Sequence, residues 1–165
     1  MNKRLPKGQA IENLPLSKAA QLILDESRML LPSIQALFGF QLIAVFNQTF
    51  SDKLNSFEQQ LHLLAIGLVV LTTITIMTPA AYHRQTSPLA VSTSFITLAS
   101  RLLLWAMIPL MVGIGLDFYL IARMILANRL FSLLLAIALV SVFSGVWFVL
   151  PRVALLQRLV CGKLP

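Results

Sequence analysis

Four apolar runs, at about residues 29–50, 61–81, 102–125 and 130–150, dominate this chain of 165 residues. Each reaches the roughly 20 residues that an α-helix needs to cross about 30 Å of hydrocarbon. The sequence predicts an all-α fold, an integral membrane four-helix bundle. Only 12% of residues are charged, against about 25% in a soluble domain. Little chain remains outside the runs, so one membrane domain over 17–158 is expected, between cytoplasmic tails at 1–16 (polar and flexible, with Pro6, Gly8 and Pro15) and 159–165.

The net charge of +7 would suit nucleic acid if the basic residues formed a stripe with interleaved aromatics. They stand instead at the ends of the apolar runs, as headgroup anchors do. No nucleic-acid partner is expected. With four spans both tails share one side. That side, with the middle loop, carries Lys3, Arg4, Lys7, Lys18, Arg28, Arg84, Arg101, Arg152, Arg158 and Lys163, while the other carries Lys53, Arg123 and Arg129. Ten against three predicts cytoplasmic N- and C-termini. The one cysteine, Cys161, reads as a reduced cytoplasmic thiol.

Ahead of the first run, Ser17 resembles a helix N-cap. Helical phase then gathers Ala19, Leu22, Ile23, Met29 and Leu30 on one side and Lys18, Gln21, Asp25 and Arg28 on the other, with Glu26 intruding on the apolar face. This predicts an N-terminal amphipathic helix on the inner membrane surface or, equally, an extension of the first span, with a bend at Pro32. Gln85-Thr86-Ser87-Pro88 reads as a turn, and residues 89–99 as an interfacial helix or the first turns of span three. Pro109 lies inside span three. Pro79 and Pro151 are placed to stop spans two and four.

An internal repeat is a further expectation. At an offset of 73 residues, Ser27-Arg28 and Leu30-Leu31 recur as Ser100-Arg101 and Leu103-Leu104, Phe46 meets Tyr119, Ala65 meets Ala138 and Val69 meets Val142. Two spans per unit would give parallel repeats about an axis along the membrane normal.

Several strings resemble a known family. Glu26-Ser27-Arg28, Leu30-Leu31-Pro32, Gln35-Ala36-Leu37 and Gly39-Phe40-Gln41-Leu42 resemble the opening of a family of small bacterial four-span membrane proteins catalogued as a domain of unknown function. Thr78-Pro79-Ala80-Ala81-Tyr82-His83-Arg84 and Ser100-Arg101 match it too, so the likeness runs from about residue 20 to 158. It implies four spans in a bacterial inner membrane and supplies no activity.

Function is sought among polar groups at membrane depth. An ionised Asp at a helix centre costs about 2.5–3.5 kcal/mol on insertion scales. Asp117 lies about 22 Å along span three from Leu102, in the outer half. Gln41 and Asn47 bracket its depth on span one, His62 begins span two and Arg123 ends span three. These five are the candidate cluster. An Asp beside His or Arg relays protons, binds a cation or holds a polar ligand. The structural alternative has Asp117 pairing with Arg123 or reaching an Asn, and Gln41 joining two helices by a hydrogen bond. At the inner rim, Glu26, Arg28, Arg84 and Arg101 are expected as lipid or ion-pair anchors, with Glu26–Arg101 or Asp25–Arg84 tying the two halves together. Thr72, Thr73, Thr75 and Thr78 either line a path or bond back to their own helix. Ser141 and Gly145 form a small-x-x-x-small face suited to helix contact or a homo-oligomer.

The sequence carries no His-Glu-x-x-His, Gly-x-Ser-x-Gly or P-loop signature. No cofactor and no metal site are expected, and an enzyme acting on lipids or quinones is the least favoured reading. The leading expectation is a non-enzymatic structural or interaction subunit whose partners are the bilayer and a second membrane subunit or copy. The alternative is a small oligomeric channel or proton- or ion-coupled transporter using Asp117.

Overall fold

The computed structural model describes residues 15–86 and 91–152. Residues 1–14 of the expected N-terminal tail, the C-terminal tail with Cys161, and Ser87-Pro88 of the expected turn lie outside them, while Gln85 and Thr86 close α3. Five α-helices follow in order: α1 (Leu16–Val45), α2 (Gln48–Lys53), α3 (Ser56–Thr86), α4 (Thr93–Leu126) and α5 (Arg129–Ser144). A π-helical turn, Gly145–Val149, and a 3-10 turn, Leu150–Arg152, carry α5 onward. With that extension, α1, α3, α4 and α5 are each long and apolar enough to cross a membrane. The fold is all-helical among the described residues, and the protein is a multi-pass membrane protein.

α3 and α4 start ahead of their apolar runs because polar caps set their starts. Asn55 Oδ1 accepts from Glu58 N–H at 2.9 Å while Glu58 Oε2 accepts from Asn55 N–H at 3.0 Å. This reciprocal capping box starts α3 five residues before the expected Leu61. Ser92 caps α4 and Asn128 caps α5 through N–H groups three residues on. Residues 93–99 are therefore the first turns of α4, as one of the two readings of that segment had it.

Two expectations are corrected. Residues 16–45 form one continuous helix through Pro32, so the N-terminal segment extends α1 and is not a separate interfacial helix. Once a face of α1 packs along α3 and α4 (Ala20, Ser27, Ile34 and Gln41 are buried), the helix continues past the residue that would bend it. Pro79 lies inside α3, which runs on to Thr86. Its ring removes one N–H from the ladder, and helix neighbours tolerate that in a membrane.

Contacts are densest between α3 and α4, then between α4 and α5, while α1 packs on α3 and less on α4. One apolar core joins Ile34, Val69, Ile76, Leu103 and Ala106. A second, towards the end where α1 begins, joins Ala20, Phe95 and Ala99. Gly113 marks where α4 touches α3: a Cβ there would lie at ordinary contact distance, 3.4 Å from the Ala65 carbonyl and 3.5 Å from Leu68 Cβ. Gly115 lets α4 approach α5, since a Cβ there would lie 2.5 Å from Val140 Cγ2. Gly115→Val is expected to push α5 off α4 and cost about 1–3 kcal/mol, read from denaturant unfolding in mild detergent.

Only Ala127 and Asn128 separate α4 from α5. Ala127 has φ 51°, the left-handed region, and its N–H closes α4 on the Arg123 carbonyl. That conformation costs an L-residue with a Cβ about 1–2 kcal/mol. Ala127→Gly is therefore expected to raise stability by about 1 kcal/mol in the same unfolding measurement.

Candidate functional site

The polar cluster assembles where α1 ends, α3 begins and α4 nears its close, at the end of the bundle that carries α2. Gln41 lies on the last turns of α1, His62 on the second turn of α3 and Asp117 more than two turns before the end of α4. Gln41 Nε2 donates to Asp117 Oδ2 at 2.6 Å. His62 Nδ1 lies 3.2 Å from Asp117 Oδ1, and its Nε2 lies 2.9 Å from the Gln41 backbone carbonyl. Gln41 and His62 are 3% and 6% exposed. The edge of Phe50 meets the His62 ring at 5.1 Å and 60°.

A carbonyl only accepts, so Nε2 donates to Gln41 O. Nδ1 stands within ion-pair distance of Asp117 Oδ1 without the alignment of a hydrogen bond, so Gln41 Nε2 makes the one direct hydrogen bond to the carboxyl group among the described residues.

A second pair lies nearer the helix ends. Glu58 is 1% exposed. Its Oε2 serves the capping box, and its Oε1 lies 3.2 Å from Arg123 Nε. Arg123 therefore pairs with Glu58 and not with Asp117. Six residues apart on one helix, Asp117 and Arg123 point about 120° away from each other. Asn47 is exposed in the turn that ends α1. Of the five expected residues, Gln41, His62 and Asp117 meet directly. Glu58 was not among the expected residues because it lies outside the apolar run; its signal was Asn55-Ser56-Phe57-Glu58, an Asn with Glu three residues on.

Beside the cluster opens a cavity of about 170 Å³. Gln41, His62 and Asp117 contribute to its lining, and the remaining walls are apolar, among them Leu37, Phe50, Leu54 and Leu120. Gln41 Oε1 is buried without a hydrogen-bond partner. Among the described residues, no three His, Cys, Asp or Glu side chains converge.

The rim expected to be inner is looser. Asp25 meets Arg28 at 3.6 Å, one turn along its own helix and exposed. Among the described residues, neither Glu26–Arg101 nor Asp25–Arg84 forms, which corrects both expected ties. A local i,i+3 partner takes Asp25 first. Arg28 and Arg84 line one groove with Ser27 and His83, Glu26 lines another with Ser100, and Arg101 lies beside Thr93 and Thr97. Thr72, Thr73, Thr75 and Thr78 each donate to the carbonyl four residues back, at 2.8–3.0 Å.

A family model described as a family of unknown function, DUF6328, matches residues 16–151. The chain belongs to that family. The match takes in all four long helices and every residue of both polar pairs, so the DUF6328 unit and the membrane bundle coincide. No curated protein and no solved structure matches the chain.

Proposed function

We propose that this DUF6328 protein is a non-enzymatic subunit of the bacterial inner membrane, structural or interacting in role, with both termini cytoplasmic. The observation that carries this reading is the pairing of charge inside the helices. Asp117 is held by His62 and Gln41, Glu58 by Arg123, and the adjoining cavity is walled mainly by side chains with no charge to offer a passing ion. Such groups fasten α1, α3 and α4 to one another. The excess of Lys and Arg on one side supports the orientation, and Arg123 counts for little on the other because Glu58 neutralises it. The exposed Arg28, Arg84 and Arg101 suit lipid phosphates.

Complementation tests the role. Asparagine at 117 can satisfy the same partners: its oxygen accepts from Gln41, and its amide donates to a neutral His62. Asp117→Asn is expected to restore the phenotype of a deletion strain in full. Failure to restore it, with the protein present at normal level, would overturn the structural reading.

The buried His62 and Asp117, 3.2 Å apart beside a cavity, favour a second reading, a small proton- or ion-coupled channel or transporter. It requires pH- or ion-dependent flux in proteoliposomes that Asp117→Ala abolishes. Flux unchanged in that variant would remove the residue from any such mechanism.

A further inference from the structure

The 73-residue offset joins structural as well as sequence equivalents. Asn55 caps α3 and Asn128, 73 residues on, caps α5, each accepting from the N–H three residues later. On α3 the stripe Ala65, Val69, Thr72 and Ile76 is buried at 0–2% exposure, facing α4. Its equivalents on α5 begin Ala138, Val142 and Gly145. Ala138 is exposed, Val142 is 62% exposed, and a Cβ on Gly145 would meet nothing within 4 Å. The face of α4 buried in that junction holds Ala99, Leu103, Ala106 and Gly113. Its equivalents on α1 are Glu26, Leu30, Ser33 and Phe40, all exposed, with Phe40 at 71%. The same junction is thus made once inside the chain, and its two halves stand open a second time, on α5 and α1.

We infer that a second copy of this chain fills it, with α5 of one copy seated on the open flank of α1 of the other. This rests on the interaction reading above and names the partner.

Two features carry the fit. The first is volume. Inside the chain, Leu68 on α3 lies against Gly113 on α4, large against small. Between copies the equivalents are Ser141 on α5 and Phe40 on α1, small against large. The sizes exchange sides and the packing space is kept, as jigsaw packing requires. The second is charge. Gly113 beside Leu68, and Phe95 beside His83, set the antiparallel register that brings Pro79 level with Ala99. Their equivalents are Arg152 and Glu26, exposed and opposite in sign. An apolar neighbour pair is replaced by a complementary charged pair at the membrane rim, where such a pair tolerates partial exposure.

The location permits closure. Glu26 and Leu30 of α1 and Trp147 after α5 wall a single groove of about 390 Å³ over Leu103 and Met107 of α4. A two-fold axis through that groove brings each α5 onto the other copy's α1, making the contact twice and leaving no open end.

Cysteine crosslinking in native membranes tests this. In a Cys161→Ser background, one tagged copy carries Phe40→Cys and a second carries Ser141→Cys. Oxidation is expected to give a mixed covalent dimer at several times the yield of Leu63→Cys with Ser141→Cys, a control in which Leu63 is exposed on α3. Ser141→Phe sets bulk against bulk and is expected to weaken association in lipid nanodiscs about tenfold. Adding Phe40→Ala to Ser141→Phe restores the large-against-small arrangement and is expected to recover association to within about threefold of the native chain. Equal yields with the control, association unmoved by Ser141→Phe, or a chain that stays single in nanodiscs would overturn the interface. The subunit reading, tested by complementation with Asp117→Asn, would then still stand or fall separately.

Discussion

Glu58→Leu is expected to be the most destabilising single change at the polar end of the bundle, costing about 3 kcal/mol or more. Three effects add. The carboxylate that faces Arg123 at 3.2 Å is removed, and the guanidinium is left without its counter-charge. Removing one partner of a buried ion pair costs about 3–5 kcal/mol; the Arg123 side chain is 28% exposed, so water screens part of this and the lower end applies. The second carboxylate oxygen no longer caps Asn55, which adds about 1 kcal/mol. Arg123→Leu in the Glu58→Leu background removes the stranded charge and is expected to recover most of the ion-pair loss while the cap loss remains. Unfolding curves in mild detergent for the two single variants and the double variant give the coupling directly. Additive losses would show that the two side chains do not depend on each other.

The second large effect separates two substitutions at one position. Asp117→Leu leaves Gln41 Nε2 without its acceptor at 2.6 Å and His62 Nδ1 without the oxygen at 3.2 Å. Each stranded buried group costs about 1–3 kcal/mol, so a loss of about 2–6 kcal/mol is expected, with α1 loosened from α3 and α4. Asp117→Asn leaves neither group stranded and is expected to stay within about 1 kcal/mol of the native chain. Unfolding midpoints of the two variants check this, and hydrogen exchange at the end of α1 reports the loosening. Equal losses would mean that charge, not hydrogen bonding, holds the three helices there.

The four spans were legible because length and hydropathy alone decide whether a helix crosses a bilayer. Their true ends were not, since these depend on side chains outside the apolar runs. Asn55 and Glu58 start α3 from a stretch that hydropathy reads as loop. Pro79 reads as a stop in isolation, yet α3 runs through it beside α4. The meeting of Gln41, His62 and Asp117 followed from depth counting, because α3 runs antiparallel to α1 and α4 and equal depths come together. The partner of Arg123 did not follow: depth fixes height along a helix, and only angular phase separates Asp117 from Arg123. Pairing at the opposite rim was misread for a related reason. Long exposed side chains such as Arg28 take the nearest partner along their own helix, which a reading across helices overlooks.

The order of the cluster along the chain bears on how the protein enters its membrane. A ribosome releases Gln41 first, then His62, then Asp117. Gln41 is a neutral amide and can wait in hydrocarbon at modest cost. His62 can arrive uncharged and find the Gln41 carbonyl already there. The acid, dearest to place in oil, comes last, when both groups that will hold it are in position. Reversing that order, by circular permutation that puts α4 ahead of α1, would force Asp117 to enter alone, and insertion efficiency should fall even though every contact in the finished bundle is unchanged.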